Sequence, residues 1–368
     1  MKLNWIATIG LMVVGVASAS AQGDAVTFGA DARALGMGGA GIAAGFLNRY
    51  NPGNLAFSRK FAFQLPSVAV RASGALGSVS NYDAVGKFIE GSGSDRNQAA
   101  LDVARNFGKQ NSDFGFNLGA MVRYGPAELQ LGAVAYGKIV PNDVLKTWSN
   151  AGAAGDVPVG ASADLSAVAV AMPSVGFGFR LPLKELPLMG ALRSTEIGIG
   201  VRAKYVRSVY SRYVASVPTL TSGLVANPGT ELGGSDTVEQ TGIGGDLGVL
   251  AVTQIEGIEY SGGVVLNNIV KPKLSFPNPG GIGTFDPLRQ SVTVGMAARR
   301  GGLVLAGDLV DALGSPDLRA GVEQRIGPVF LRSGYSSRRG VTYGAGLFGF
   351  DVAFGKGQPL EIIRNVRF

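Results

Sequence analysis

Apolar and polar residues alternate with a period of two through much of the chain beyond residue 60. Phe114, Phe116, Leu118, Ala120, Val122 and Tyr124 share one face of a run in which Gly115, Asn117, Gly119, Met121 and Arg123 share the other. Residues two apart stand on the same side of an extended chain, so the run predicts a strand whose faces meet different surroundings. Gly125-Pro126 predicts a tight turn, after which Leu129, Leu131, Ala133 and Ala135 oppose Gln130, Val134, Tyr136 and Lys138 on a returning strand. In the same way Ile197, Ile199, Val201, Ala203 and Tyr205 oppose Arg202 and Lys204. Alternation alone fits a soluble sandwich, with the charged face in water, or a membrane barrel, with the charged face in the lumen.

The connections separate the two. Long polar stretches at Ser73–Ser112, Pro141–Gly160, Pro218–Thr241 and Val270–Leu288 are interleaved with short turns at Gly125-Pro126, Glu256-Gly257, Arg300-Gly301 and Gly327-Pro328. This rhythm is that of an up-and-down barrel with outside loops and periplasmic turns, and it gives an even count of about 14 strands with both termini in the periplasm. Ala161–Leu181 and Thr195–Ser216 each count as one tall strand, joined by a turn at Leu183–Ser194; splitting both into hairpins gives about 16. Gln98–Phe107 predicts a packed helix within the first long connection.

Composition narrows the choice further. The chain is 46% hydrophobic and 16% charged, with 57 glycines. Even so, no stretch beyond the N-terminus reaches the about 20 unbroken apolar residues of a spanning helix. The richest, Ala167–Leu183, is cut by Pro173, Ser174, Arg180 and Pro182. A closed barrel reconciles the two observations, because its backbone groups pair between strands and its outer face meets lipid. Met1-Lys2-Leu3-Asn4, the apolar run Trp5–Ala17 and the small residues Ala19-Ser20-Ala21 together predict a signal peptide over 1–21, cleaved after Ala21.

Absent residue types exclude much chemistry. With no Cys and no His, disulfides, thiol catalysis, Cys/His metal or haem ligation and His-based triads are ruled out. No serine lies in a Gly-x-Ser-x-Gly elbow. Asp308 and Asp311, three apart, would face opposite sides of one strand, and Glu256 and Glu259 flank a turn; neither pair has a base or metal ligand beside it. The net charge of +7 is spread over scattered arginines, without the clusters that bind nucleic acid. No enzymatic activity, cofactor or metal is expected.

One stretch stands apart from the strands: Ala30–Phe57, glycine-dense, nearly uncharged and closing on Asn51-Pro52-Gly53. Its Gly36-x-Gly38-x-x-Gly41 spacing is not a dinucleotide fingerprint. No β-branched strand feeds it, and no acidic residue follows before Asp83 to hold a ribose. Glycine and alanine instead suit close approach of backbone to backbone, as in a plug within a tube. The run Ala32-Arg33-Ala34-Leu35-Gly36-Met37-Gly38-Gly39-Ala40-Gly41-Ile42-Ala43, with Asn51-Pro52-Gly53-Asn54-Leu55-Ala56, resembles the N-terminus of FadL-type and PorV-type (TraF-like) outer-membrane barrels. There a "RxLGMGGAGxA…NPAGLA" segment forms a short helix and hatch inside the barrel; this chain has Gly53-Asn54 where those families carry Ala-Gly. Gly262–Asn268, Asp308–Asp311, Leu318–Glu323 and Leu331–Tyr335 resemble strands and hairpins of the PorV-like group. The last strand, Leu360–Phe368, carries Leu360, Ile362, Val366 and Phe368 at alternate positions, resembling the strand presented to the barrel-assembly machinery, although Arg364 breaks its apolar face.

The expected architecture is therefore an all-β transmembrane antiparallel up-and-down β-barrel of about 14 strands in a Gram-negative outer membrane. A signal peptide (1–21) precedes a hatch (22–60) that contains Gly36, Gly38, Gly39, Gly41, Asn51 and Pro52, and the barrel wall follows (61–368). Arg123, Lys138, Arg202 and Lys204 are the candidate lumen-lining residues, with charge pairing inside the wall as their alternative role. The resemblance implies passage of a small hydrophobic solute or, alternatively, a component of protein secretion or surface attachment. The expected partners are outer-membrane lipid, the assembly machinery, and such a solute or secreted protein, with no nucleic acid.

Overall fold

The structure is a computed structural model that describes residues 32–44, 50–58, 61–72, 83, 87, 93–153, 156–181, 195–216, 236–277, 284–285, 288, 290–338, 340–355 and 360–367. The expected signal peptide, the turn at 183–194 and Phe368 lie outside these residues.

Among the described residues, fourteen strands close into one antiparallel barrel. They are β1 (Ala62–Ala72), β2 (Ser112–Tyr124), β3 (Ala127–Pro141), β4 (Ser162–Leu181), β5 (Glu196–Ser216), β6 (Asp236–Ile255) and β7 (Ile258–Val270), followed by β8 (Ser291–Arg300), β9 (Leu303–Val310), β10 (Asp317–Ile326), β11 (Val329–Ser336), β12 (Gly340–Leu347), β13 (Phe350–Gly355) and β14 (Leu360–Arg367). Each pairs with its sequence neighbours. β14 closes the circle on β1, with Leu360 opposite Val70, Ile362 opposite Val68 and Val366 opposite Phe63. The expected strand count and topology hold, including β4 and β5 as single tall strands. Two-residue turns collect at one end, and the long connections leave from the other.

Why the sheet closes with this face inward is visible in β5. Gly198, Gly200, Arg202, Lys204, Val206, Ser208 and Tyr210 are buried on one face, while Val201, Ala203, Tyr205 and Arg207 are exposed on the other. Exposed apolar side chains circle the outside, among them Leu131 on β3, Phe177 on β4, Ile243 on β6, Met296 on β8, Leu305 on β9, Leu331 on β11 and Tyr343 on β12. A greasy belt around a closed sheet, with charge held inside, is the pattern of a barrel in lipid. On β5 the belt runs from Ile197 to Tyr205 and ends at the exposed Arg207–Glu239 ion pair. A tilted strand of that length rises about 21 Å, most of the roughly 25 Å of the apolar band. β4, β5 and β6 continue past this margin as a one-sided collar.

Two helices stand at the collar end. The expected helix begins earlier than its apolar spacing indicated and runs Gly93–Gly108 (α2, after the hatch helix α1, Ala32–Gly36). It packs on α3 (Asp143–Asn150), a helix inside the stretch whose polarity predicts only a connection. Asn142 caps α3 by accepting from the Leu145 N–H, and Ala104, Leu145 and Trp148 are buried together with Ala161 and Ala163.

The connection after β7 corrects a second expectation. Its polarity predicts an outside loop, but Leu274, Phe276 and Leu288 turn into the barrel and join Val168, Val170, Met172, Val206 and Tyr210 in one buried cluster. The cause is local. Pro272 has no N–H with which to continue the ladder, and Gly242 gives it room: a Cβ there would lie 2.7 Å from the Pro272 Cβ. The chain therefore leaves the sheet and crosses the inner face, where Gln240 donates to the Ser275 carbonyl at 2.8 Å and accepts the Ser275 N–H at 2.9 Å.

Candidate functional site: a packed lumen

The hatch lies on the inner face and sweeps around the wall. α1 packs on β11, β12, β13 and β14, and the 3-10 turn Pro52–Phe57 packs on β4, β5 and β6. Its seat is made of strand glycines. A Cβ on Gly200 would overlap the Pro52 carbonyl, one on Gly178 the Ala56 N–H, and one on Gly334 the backbone of Met37 and Gly38. Gly176, Gly198, Gly248, Gly321 and Gly344 likewise meet hatch atoms directly. The hatch can lie this close to the wall because the strand side has no Cβ to hold it off.

Each predicted hatch residue has a definite place. Gly36 sits against Gly344 and Arg332. Gly38 and Gly39 take φ of 73° and 84°, values that favour glycine, and the Gly38 N–H donates to Thr342 Oγ1 at 2.9 Å. The Gly41 and Ile42 N–H groups both donate to Asp308 Oδ2, at 2.6 and 3.0 Å. Asn51 is fully buried; it donates to the carbonyls of Ile42 (3.2 Å) and Val249 (3.1 Å) and accepts the Gly53 N–H (2.8 Å). Pro52 begins the 3-10 turn and rests on Gly200 and Gly248. Gly53 stands where a Cβ would lie 2.9 Å from the Leu250 N, which accounts for glycine at this place in the Asn51-Pro52-Gly53-Asn54 order.

Arg33 ties the other end of the hatch. Its guanidinium donates twice to Glu323, at 2.8 Å each, and Glu323 also accepts from Arg332, which reaches Asp351 at 2.6 Å. None of Glu323, Arg332, Asp351 and Asp308 was anticipated as a hatch anchor. The available signal was their position on the polar side of alternating strands, shared with the residues that were singled out.

Three of the four predicted lumen cations come together. Arg123 and Arg202 each donate to Glu128 at 2.9 Å, Arg202 lies 3.7 Å from Asp246, and Lys204 donates to Asp246 at 2.5 Å and to Asn268 Oδ1 at 2.6 Å. All five charged groups are nearly closed off from solvent, as charge pairing inside the wall requires. Lys138 does not join; it shares the inner face of β3 but stands higher, opposite Asp113 and Ser166. Asn268 enters the ladder through a bulge between β6 and β7, where it takes φ 52° and donates its N–H to Asp246. Asparagine tolerates this left-handed backbone, and a bulge re-aims a side chain.

Read up β5 from the turn end, the inner face has three levels. Gly198 and Gly200 seat the hatch, Arg202 and Lys204 carry the charge ladder, and Val206 and Tyr210 belong to the apolar cluster. The alternate predicted strand, β14, has its backbone in place at Leu360, Ile362 and Val366.

A fourteen-strand transmembrane barrel with an N-terminal segment packed in its lumen is the class defined by this geometry. The chain belongs to the family described as "F plasmid transfer operon, TraF, protein", whose model matches residues 48–309. No curated protein matches it in sequence. Among solved structures, it is similar to the Ralstonia pickettii toluene transporter TbuX, at 12% identity over 92% of this chain and 98% of that one, with a TM-score of 0.27. It is also similar to a deletion mutant of the TodX monoaromatic hydrocarbon channel (8% identity, 91% and 96% covered, TM-score 0.27) and to a mutant of Rh. blastica porin (11%, 84% and 98%, TM-score 0.25). Overlaps this low say nothing about a solute.

Proposed function

We propose that the protein is an outer-membrane barrel that admits a small apolar solute from the loop side, with the hatch as its closure. The observation that carries this reading is the uppermost level of the lumen. Barrel interiors are ordinarily polar, yet here Val168, Val170, Met172, Val206 and Tyr210 face inward as one apolar surface covered by Leu274, Phe276 and Leu288. Such a surface suits an apolar molecule and is a poor path for ions or sugars. Below it, the hatch packs closely on the strand glycines, and in this reading passage requires hatch residues to shift.

The test is uptake of a panel of small apolar compounds by cells with and without the gene, alongside complementation by Val206→Asp. Loss of uptake on deletion, unrepaired by Val206→Asp although the barrel assembles, supports transport. Unchanged uptake with exported proteins stranded in the periplasm overturns it. That second outcome belongs to the other reading, a partner in protein secretion or surface attachment. The one-sided collar with α2 and α3, placed beyond the apolar belt, favours that reading as a surface another protein could meet.

A further inference from the structure

We infer that the solute admitted to this lumen carries a neutral hydrogen-bonding group, a carbonyl or hydroxyl on an apolar body, and that the hydroxyls of Tyr210 and Ser166 receive it at the apolar level. The inference rests on the transport reading above and narrows its solute from any apolar molecule to one class.

Two buried hydroxyls carry it. Tyr210 belongs to the apolar cluster and is 2% exposed; Ser166, 3% exposed, stands on the inner face of β4, one inward position above Val168. Neither the Tyr210 phenol oxygen nor Ser166 Oγ has a hydrogen-bond partner among the described residues. A buried polar group left unpaired costs about 1–3 kcal/mol, and a buried tyrosine hydroxyl ordinarily finds a partner. The next inward residue below Tyr210 does find one, since Ser208 Oγ donates to the Gln240 carbonyl at 3.3 Å.

Register brings the two positions together. Across β4 and β5, Val168 faces Tyr210 and Ser166 faces Arg212, so Ser166 and Tyr210 are diagonal neighbours on one face. The Tyr210 ring is stacked on Phe276, with centroids 5.7 Å apart and planes 20° from parallel, which holds the ring while its hydroxyl hydrogen stays free to turn. In this reading an apolar body on Val168 and Val170, in place of the covering Leu274 and Leu288 side chains, lies beside both positions.

The charges nearby favour a neutral group over an ion. Arg212, in the same row as Ser166, is taken up by Asp164 at 2.6 Å. Lys138, opposite Ser166 on β3, is only half-buried and keeps its contact with water. Bringing a carboxylate into an apolar level costs more desolvation than two hydroxyls offset, whereas a carbonyl or hydroxyl needs one or two hydrogen bonds, and a hydroxyl can donate or accept them.

The experiment titrates the full mature protein in nanodiscs with ethylbenzene, acetophenone and benzoate, probes of similar size that differ in the polar group. Calorimetry on empty nanodiscs subtracts partition into lipid. Acetophenone should bind about tenfold tighter than ethylbenzene, and benzoate more weakly than acetophenone. Tyr210→Phe, which keeps the ring on Phe276, and Ser166→Ala should each shrink the acetophenone preference several-fold while leaving ethylbenzene binding unchanged. Heat-modifiable migration checks that each variant is folded. Equal binding of ethylbenzene and acetophenone overturns the inference and leaves apolar transport standing. A preference unmoved by both variants, or tightest binding of benzoate, overturns it as well. Binding of none of the three probes sinks the transport reading, and this inference with it.

Discussion

At the scale of single residues, two kinds of fit hold the lumen together, and they respond differently to substitution. Gly200→Val places methyl groups where the Pro52 carbonyl sits, and Pro52 belongs to a turn wedged among three strands. The expected result is displacement of the hatch rather than loss of the barrel: heat-modifiable migration persists, and residues 50–57 become open to protease. The charge ladder behaves otherwise. Glu128→Gln leaves Arg123 and Arg202 buried without their shared carboxylate and should cost about 3–5 kcal/mol in urea unfolding, as for other broken buried pairs. Glu239→Gln breaks a pair of similar geometry at the exposed belt margin, where water replaces the lost partner, and should leave the midpoint unmoved. Little of this was legible beforehand. The polar side of the strands identified Arg123, Arg202 and Lys204 as inward-facing, because alternation is a local property. The strand glycines could not be read, since what makes Gly200 necessary is Pro52, far away in sequence. Asp308 reads in sequence only against Asp311; its partners, the Gly41 and Ile42 amides, belong to the hatch, far away in sequence.

At the scale of elements, strands were easier to foresee than what joins them. Alternation and tight turns placed β2, β3, β4 and β5 almost to the residue, since period two and turn chemistry act over a few positions. α3 was missed because eight residues give too little periodicity to stand out from a polar connection. The inward path after β7 was missed because it depends on Pro272 meeting Gly242 on another strand. The bulge at Asn268 joins these themes, since one residue serves both the backbone and the ladder. Asn268→Gly keeps the left-handed conformation but drops the Lys204 contact, whereas Asn268→Val loses the contact and strains the backbone. Both should be destabilised, the valine variant more, by roughly 1–3 kcal/mol beyond glycine in the same unfolding assay. Equal losses would mean that the bulge geometry is not what selects asparagine.

At the scale of the whole molecule, the barrel was legible because closure, parity and the long-short rhythm of connections all follow from the membrane. Its lopsided height was not, although strand lengths contain it. β5 extends from Glu196 to Ser216 while β12 runs only from Gly340 to Leu347, so the wall that carries the collar leaves the bilayer and the opposite wall does not. The position of the lipid can be tested on one strand. Val201 and Val209 both stand on the outer face of β5, whose odd-numbered residues alternate with the inward Arg202 and Lys204. Val201 lies within the belt between Ile197 and Tyr205; Val209 lies beyond Arg207, at the foot of the collar. If lipid ends at Arg207, Val201→Arg brings a charge into hydrocarbon and should cost about 2–4 kcal/mol on refolding into lipid vesicles. Val209→Arg reaches water and should cost less than about 1 kcal/mol. Equal costs would move the membrane boundary up the strand and place the level of the apolar cluster inside the bilayer.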